Sequence, residues 1–209
     1  MGKLTGLTSV ITGASGGMGR ELAIQLCADG CPLALCDLRM DELEETKRLC
    51  IERNPKAKHI SLHYCDVANE DSVNEFKDQV LSEHGESVAV LINNAGTVST
   101  APFLDMPKER FDTVFDVSFK GVVLCTRAFL PFIVKAKRGY VANTSSINAF
   151  WNCFGFAKWP MKTPLHAAYC AVRFFFLSFF LSFFLSFFAI AVAITVVVVV
   201  ARCNCHADE

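Results

Sequence analysis

A short β-branched run, Thr8–Thr12, passes straight into Gly13-Ala14-Ser15-Gly16-Gly17-Met18-Gly19, and Arg20-Glu21-Leu22-Ala23-Ile24-Gln25-Leu26 then reads as a helix. Glycines at such a junction allow a tight turn and let backbone N–H groups approach a pyrophosphate. The helix N-terminus adds unpaired donors and partial positive charge. Taken alone, the cluster fits an ordinary strand-to-helix turn equally well. Asp37 changes the balance: it ends the next apolar run, 24 residues after Gly13, about where a carboxylate on an adenosine ribose is expected. Strand, glycine loop, helix and acid in this order point to a dinucleotide cradle. A carboxylate accepts hydrogen bonds from a ribose 2′-OH and repels a 2′-phosphate. The loop holds no basic residue before Arg20, while Arg39 lies close and works the other way. NAD(H) is therefore expected in preference to NADP(H).

The rest of the chain agrees with such a cradle as far as Ser146. Thr8–Thr12, Leu33–Cys36, His59–Tyr64, Val88–Ile92 and Tyr140–Thr144 read as strands; Gly17–Ala28, Met40–Arg53, Glu70–His84 and Lys108–Lys135 read as helices. Short, near-continuous apolar strands separated by helices imply a parallel sheet covered on both faces, and right-handed crossovers make it a doubly wound α/β fold of Rossmann type. Pro107 suits a helix start, and Pro131 is expected to kink or loosen the last helix. The 209 residues suffice for one domain, placed at residues 1–173. A net charge of −1 argues against phosphate neutralisation, hence against a nucleic-acid partner. The N-terminal residues show neither a secretory h-region nor a myristoylation pattern, so a cytoplasmic domain is expected. Ten scattered cysteines then read as reduced, mostly buried thiols. Cys203, Cys205 and His206 offer close ligands without a distant partner, and no metal site is expected.

Five segments carry a resemblance to the short-chain dehydrogenase/reductase family. Thr12-Gly13-Ala14-Ser15-Gly16-Gly17-Met18-Gly19 resembles that family's TGxxxGxG, and Cys65-Asp66-Val67 its motif after the third strand. Asn93-Asn94-Ala95-Gly96 resembles NNAG, Asn143-Thr144-Ser145-Ser146 resembles NxSS, and Tyr169-Cys170-Ala171-Val172-Arg173 resembles YxxxK. The resemblance implies hydride exchange between a nicotinamide and an alcohol or ketone. It implies that Gly13, Ser15, Gly17, Met18 and Gly19 line the pyrophosphate, that Asp37 meets the ribose, and that Asp66 and Val67 meet the adenine. Asn93, Ala95 and Gly96 would lie beside the inner ribose. Tyr169 is then the acid/base, a role that requires its phenol pKa, about 10 in water, to come nearer working pH. A cation one helical turn later favours the phenolate. Ser146, rather than Ser145, would hydrogen-bond the substrate oxygen.

Three departures bear on that chemistry. Arg173 stands where the family has lysine; it keeps the charge but is bulkier and forked. Ser118 stands where a relay asparagine is usual, and a hydroxyl cannot reproduce amide geometry. Ser146 and Tyr169 are 23 residues apart, where about a dozen is usual. The added stretch carries Phe150, Trp151, Phe154, Phe156 and Trp159, and reads either as a wall for an apolar substrate or as a surface insertion. The chemistry is therefore carried forward beside an alternative, a catalytically impaired nucleotide-binding or membrane-tethered protein.

Residues 174–200 form a segment of 27 residues without a charged side chain, followed by a polar tail at 201–209. As a helix it would be roughly 40 Å long, enough to cross a bilayer core and leave the nucleotide domain in the cytosol. Phe-Phe-Leu-Ser also recurs three times in phase from Phe175. A TTCT repeat read in triplets encodes that sequence, so translated non-coding repeat is the competing reading. The family's two further strands are not recognisable after Tyr169, and a sheet ending at the fifth strand is expected to expose an apolar edge. Whether the chain forms an oligomer is left open.

Overall fold

The computed structural model describes residues 4–57, 59–99, 105–136 and 138–145, together with the backbone of 201–203. In chain order its elements are β1 (Thr8–Thr12), α1 (Gly17–Ala28), β2 (Leu33–Asp37), α2 (Met40–Arg53), β3 (Ile60–Tyr64), α3 (Glu70–His84) and β4 (Val88–Asn93). These are followed by α4 (Lys108–Phe115), a π-helical turn (Asp116–Lys120), α5 (Gly121–Lys135), β5 (Gly139–Asn143) and β6 (Ala201–Cys203). The sheet order is β3-β2-β1-β4-β5-β6. Neighbours among the first five strands are parallel. The order reverses at β1, which lies between β2 and β4. The crevice at the carboxyl ends of those strands is where a doubly wound sheet receives a ligand.

Both faces of the sheet are covered because consecutive strand residues point to opposite sides. Val10, Ala34, Cys36 and Leu91 meet Val73, Phe76 and Val80 of α3 and Leu124, Phe129 and Ile133 of α5. Ile11, Leu33, Leu35 and Ile92 meet Ala23, Leu26 and Cys27 of α1 and Leu43 and Cys50 of α2. The unbroken apolar runs therefore reflect double coverage. The continuous helix Lys108–Lys135, 28 residues, is apolar and long enough to span a membrane, yet Phe129 and Ile133 are fully buried against the sheet. It is a core helix.

The expected helices Gly17–Ala28, Met40–Arg53 and Glu70–His84 are found with those bounds, and the strands shift by at most one residue at an end. Thr144 lies just past the strand, its N–H still donating across to Asn93 O of β4 at 2.9 Å. The last helix continues past Pro131, and its irregular turn lies instead at Asp116–Lys120. A second correction concerns the sheet edge. β6 pairs antiparallel with β5, Tyr140 opposite Arg202, so the sheet does not end at the fifth strand and 201–203 is not simply polar tail. An open edge offers N–H and C=O groups to any extended segment, and this one is taken from within the chain. Cys27, Cys31, Cys36, Cys50, Cys65 and Cys125 are free and buried, as reduced thiols should be. The 174–200 segment lies outside the described residues.

Candidate dinucleotide site

The glycine loop is built by close approach. Gly13 has φ +66°, and a Cβ there would stand 2.7 Å from Ala95 Cα; at Gly19 a Cβ would stand 2.1 Å from Gly13 O. The loop after β1 thus rests against the loop after β4 on one side and α1 on the other. The start of α1 is left bare. Gly16 supplies no side-chain cap, and the first turn holds no acid. By contrast, Asn69 caps α3 by accepting from Ser72 N at 3.1 Å, and Asp41 and Glu42 sit in the first turn of α2. The first N–H groups of α1 have no intrahelical acceptor, and they lie where Gly17 and Met18 are exposed, Met18 at 45%. An anion is the natural complement to such an end, so these residues fit the pyrophosphate of a dinucleotide.

Beneath the loop, Ser15 is fully buried and all its polar groups are engaged. Its N–H donates to Asp37 Oδ2 at 3.1 Å, its Oγ accepts from Arg39 Nη2 at 2.8 Å, and its carbonyl accepts from Arg20 Nη2. Arg20 also reaches Thr46 Oγ1 at 3.0 Å and Glu42 O at 3.2 Å, while Thr46 Oγ1 donates to Ala14 O at 2.9 Å. Arg20 and Thr46 therefore strap the loop to α2. Sequence reading missed this role, and the one available signal was the position of Arg20 directly after the last glycine. Asp37 Oδ1 accepts from Leu38 N at 2.8 Å and Arg39 N at 3.2 Å. With Ser15 that makes three of about four acceptor sites on the carboxylate, which leaves one for a ribose hydroxyl. Arg39, 60% exposed at its side chain, is tied to Glu42 at 3.0 Å.

The loop after β4 laces three strand ends together. Asn94 N and Ala95 N both donate to Thr12 Oγ1 at 3.0 Å, and Asn94 Nδ2 donates to Gly13 O at 3.0 Å. Thr144 Oγ1 donates to Asn94 Oδ1 at 3.2 Å. Asn93 is 2% exposed; its Nδ2 donates to Asn143 Oδ1 at 2.8 Å and Thr126 Oγ1 at 3.1 Å. Its side chain thus ties β4 to β5 and α5 from inside, whereas Gly96 is exposed at the crevice and Ala95 lies beside Gly13. Asp66 Oδ1 accepts from Ala68 N, and Asp66 N donates to Ser72 Oγ, each at 3.0 Å. Val67 is 6% exposed. Burial pushes the neighbouring Cys36 thiol well up, while its hydrogen bond to Cys65 draws the Cys65 thiol down.

Ser118 lies in the π-helical turn, its hydroxyl 3.4 Å from both the N and the O of Thr97. π-bulges recur at functional sites, but no sequence signal marks this one. The hydroxyls of Ser99 and Ser145 are buried without a hydrogen-bond partner. Ser146, Tyr169 and Arg173 lie outside the described residues. Among the described residues no cluster of three His, Cys, Asp or Glu side chains is arranged to hold a metal ion.

The chain resembles known proteins in sequence and in fold. Residues 8–198 match the family described as short chain dehydrogenase. Epidermal retinol dehydrogenase 2 of Homo sapiens is 38% identical over 137 residues, covering 66% of this chain and 43% of that one. Dehydrogenase/reductase SDR family member 7 of Homo sapiens is 31% identical over 170 residues, 81% of this chain and 47% of that one. The chain thus spans about half the length of the curated relatives it matches. A metagenomic short-chain oxidoreductase crystallised with NADP superposes with a TM-score of 0.73 at 28% identity, covering 87% of this chain and 78% of that one.

Proposed function

The chain belongs to the short-chain dehydrogenase family, and on that premise we propose that it is an NAD(H)-dependent oxidoreductase exchanging a hydride between the nicotinamide and an alcohol or carbonyl carbon. The observation that carries this reading is the uncapped, acid-free start of α1 beside a carboxylate with one acceptor site left. A pyrophosphate would complete the first and a ribose hydroxyl the second. The dinucleotide, when bound, supplies the hydride chemistry. The chain's part is to bind, orient and move one proton. In this proposal Ser146 donates to the substrate oxygen, Tyr169 is the acid/base, and Arg173 favours its phenolate. An apolar alcohol or ketone is the proposed substrate class, supported by the aromatic stretch Phe150–Trp159 and by the retinol in the name of one relative. NAD(H) is proposed over NADP(H) because a 2′-phosphate would meet Asp37. The NADP bound to the metagenomic relative and the exposed guanidinium of Arg39 are the opposing considerations.

One observation favours a second reading, nucleotide binding without turnover. Ser118 holds the backbone of Thr97 at 3.4 Å and lacks the amide of the usual relay residue. Titration of the full chain with NADH and NADPH by nicotinamide fluorescence, beside hydride transfer with a panel of apolar alcohols, separates the two. NADH should bind at least about tenfold more tightly than NADPH, a difference of about 1.4 kcal/mol. Asp37→Ser should close most of that gap by weakening NADH. Equal affinity for both cofactors would refute the role given to Asp37, and NADH binding without turnover would support the second reading. For residues 174–200 the readings are a membrane anchor on a cytosolic domain or a translated repeat. A spliced transcript that omits the Phe-Phe-Leu-Ser repeats would remove the anchor.

A further inference from the structure

The face of β3 turned toward α3 carries a chain of polar side chains that dinucleotide binding does not use. Ser61 is 6% exposed and His63 2%. His63 Nδ1 lies 3.0 Å from Gln79 Oε1 and His63 Nε2 lies 2.7 Å from Ser61 Oγ, which is also 2.7 Å from His84 Nε2. Gln79 Nε2 donates to Glu75 Oε1 at 3.4 Å, so its Oε1 is the atom facing His63. Valence then orders the protons. Gln79 Oε1 only accepts, so His63 is protonated on Nδ1 and bare on Nε2. Ser61 donates its single hydrogen to His63 and accepts from His84 Nε2–H.

Among the described residues, the charged and titratable groups facing this array are few. On α3, Glu83 Oε1 is 4.0 Å from His63 Nε2 and Glu75 is reached through Gln79, whereas Lys77 and Asp78 pair with each other. His59, before β3, stands edge-on to His84 with ring centres 6.0 Å apart. Cys36 of β2 is opposite His63 in register and is kept protonated by burial. The Phe76 ring, 5.2 Å away, closes another side. α2 packs on the far face, with Ile60 and Leu62.

One proton fits this chain and two do not. A proton taken up on His84 Nδ1 leaves every bond in place. A second, on His63 Nε2, sets two N–H donors against one hydroxyl whose own hydrogen then has no acceptor, with an imidazolium on either side of a single oxygen. We infer that Ser61, His63 and His84 are positioning residues, a clasp with room for one proton that holds β3 to α3 and opens when a second arrives. The clasp also bears on the site. β3 leads directly into Cys65–Val67, and Ser72 of α3 holds Asp66 N at 3.0 Å, so β3 and α3 together fix the loop assigned to adenine. That consequence rests on the dinucleotide reading; the clasp itself does not.

Burial holds His84 below the usual histidine range, with Glu83 opposing and His59 and His63 reinforcing. A folded value below the unfolded one means that the clasp's full stability is present above about pH 6.5 and is lost as pH falls. Nitrogen-15 NMR of the histidine rings in the full chain tests this. At pH 8 His63 should be the Nδ1–H tautomer and His84 the Nε2–H tautomer. On acidification, amide protection across residues 60–84, corrected for intrinsic exchange, should hold while a single ring is charged and fall at least about tenfold once both are. His84→Gln cannot charge and can turn either its amide nitrogen or its amide oxygen to Ser61, so one proton on His63 leaves every bond satisfied and protection should hold through that range. Protection lost with the first charged ring, the opposite tautomers, or equal acid opening in His84→Gln would overturn the inference. Should that variant fail to fold, the wild-type tautomers and the wild-type loss of protection with ring charge decide alone. NADH affinity should fall with that protection; a chain that binds no NADH at any pH removes the functional reading, while the ring and exchange measurements still judge the clasp.

Discussion

Gly19→Ala should cost about 3 kcal/mol of stability, the upper end for overpacking, and should abolish dinucleotide binding together with it. The added methyl would lie 2.1 Å from Gly13 O and 2.6 Å from Asn94 Nδ2. Gly13 O is backbone that already accepts from Asn94 at 3.0 Å, and Gly13 is itself pressed against Ala95. No flexible end is available to give way, so α1 must lift from the sheet. Such a shift carries the bare N–H groups of α1 away from the crevice. In a chain of this size the loss corresponds to a fall in Tm of roughly 6–12 °C. Thermal unfolding and an NADH titration check the two parts. Gly17→Ala is the control: its Cβ would meet nothing within 4 Å, and only the positive φ of 53° is at stake. That variant should lose about 1–2 kcal/mol. If Gly19→Ala costs no more than Gly17→Ala, the neighbours of Gly19 absorb the methyl, and the packing account of the loop is wrong.

Much of this frame was legible because the chain signals it locally. Glu70–His84 begins with a side-chain cap at Asn69 and ends at Gly85, whose φ of +67° requires the residue found there. The five parallel strands were legible because apolar runs covered on both faces have no polar alternation to obscure them. What escaped reading depends on contacts between distant residues. Ser61 and His63 alternate with Ile60, Leu62 and Tyr64, a pattern that ordinarily marks a solvated face. Here the polar side is buried by α3, and the two side chains are satisfied by each other and by Gln79 and His84, 16 and 23 residues away. Arg20 was equally mute. Its partners Glu42 and Thr46 lie on another helix, and nothing in the glycine motif names them. The motif implies that Ser15 faces the ligand, and its buried hydrogen bonds to Asp37 and Arg39 follow only from the return of β2. The π-helical turn at Asp116–Lys120 has no composition of its own, since a single extra residue in one turn leaves the helical pattern on either side intact. The residues proposed for the proton chemistry, Ser146, Tyr169 and Arg173, rest on motif alone.

Asn93→Leu should cost about 3 kcal/mol, nearly all of it through groups left behind rather than through lost volume. Asn93 is 2% exposed, and its Nδ2 serves Asn143 on β5 and Thr126 on α5. Leucine fills similar space but leaves Asn143 Oδ1 buried without a donor, at about 1–3 kcal/mol for an unsatisfied group, and removes the link to Thr126. Some return comes from Asn93 Oδ1, which is buried without a partner in the wild type and disappears in the variant. The decisive measurement is a double-mutant cycle by denaturant unfolding. Asn143→Leu alone should also destabilise, because it deprives Asn93 Nδ2 of its shorter bond. Asn93→Leu with Asn143→Leu removes both amides together, and replacing both partners of a buried hydrogen bond by apolar groups comes close to neutral for that pair. The double variant should therefore be at least about 1 kcal/mol more stable than the sum of the single losses predicts. Strict additivity would mean that the amide pair does not join β4 to β5 and that their parallel register is held by the ladder alone. In that case Ala95 and Gly96 would keep their positions at the crevice in either single variant, with NADH affinity unchanged. If the amides do lace the strands, the loop after β4 loosens without them, and each single variant should bind NADH more weakly than the wild type.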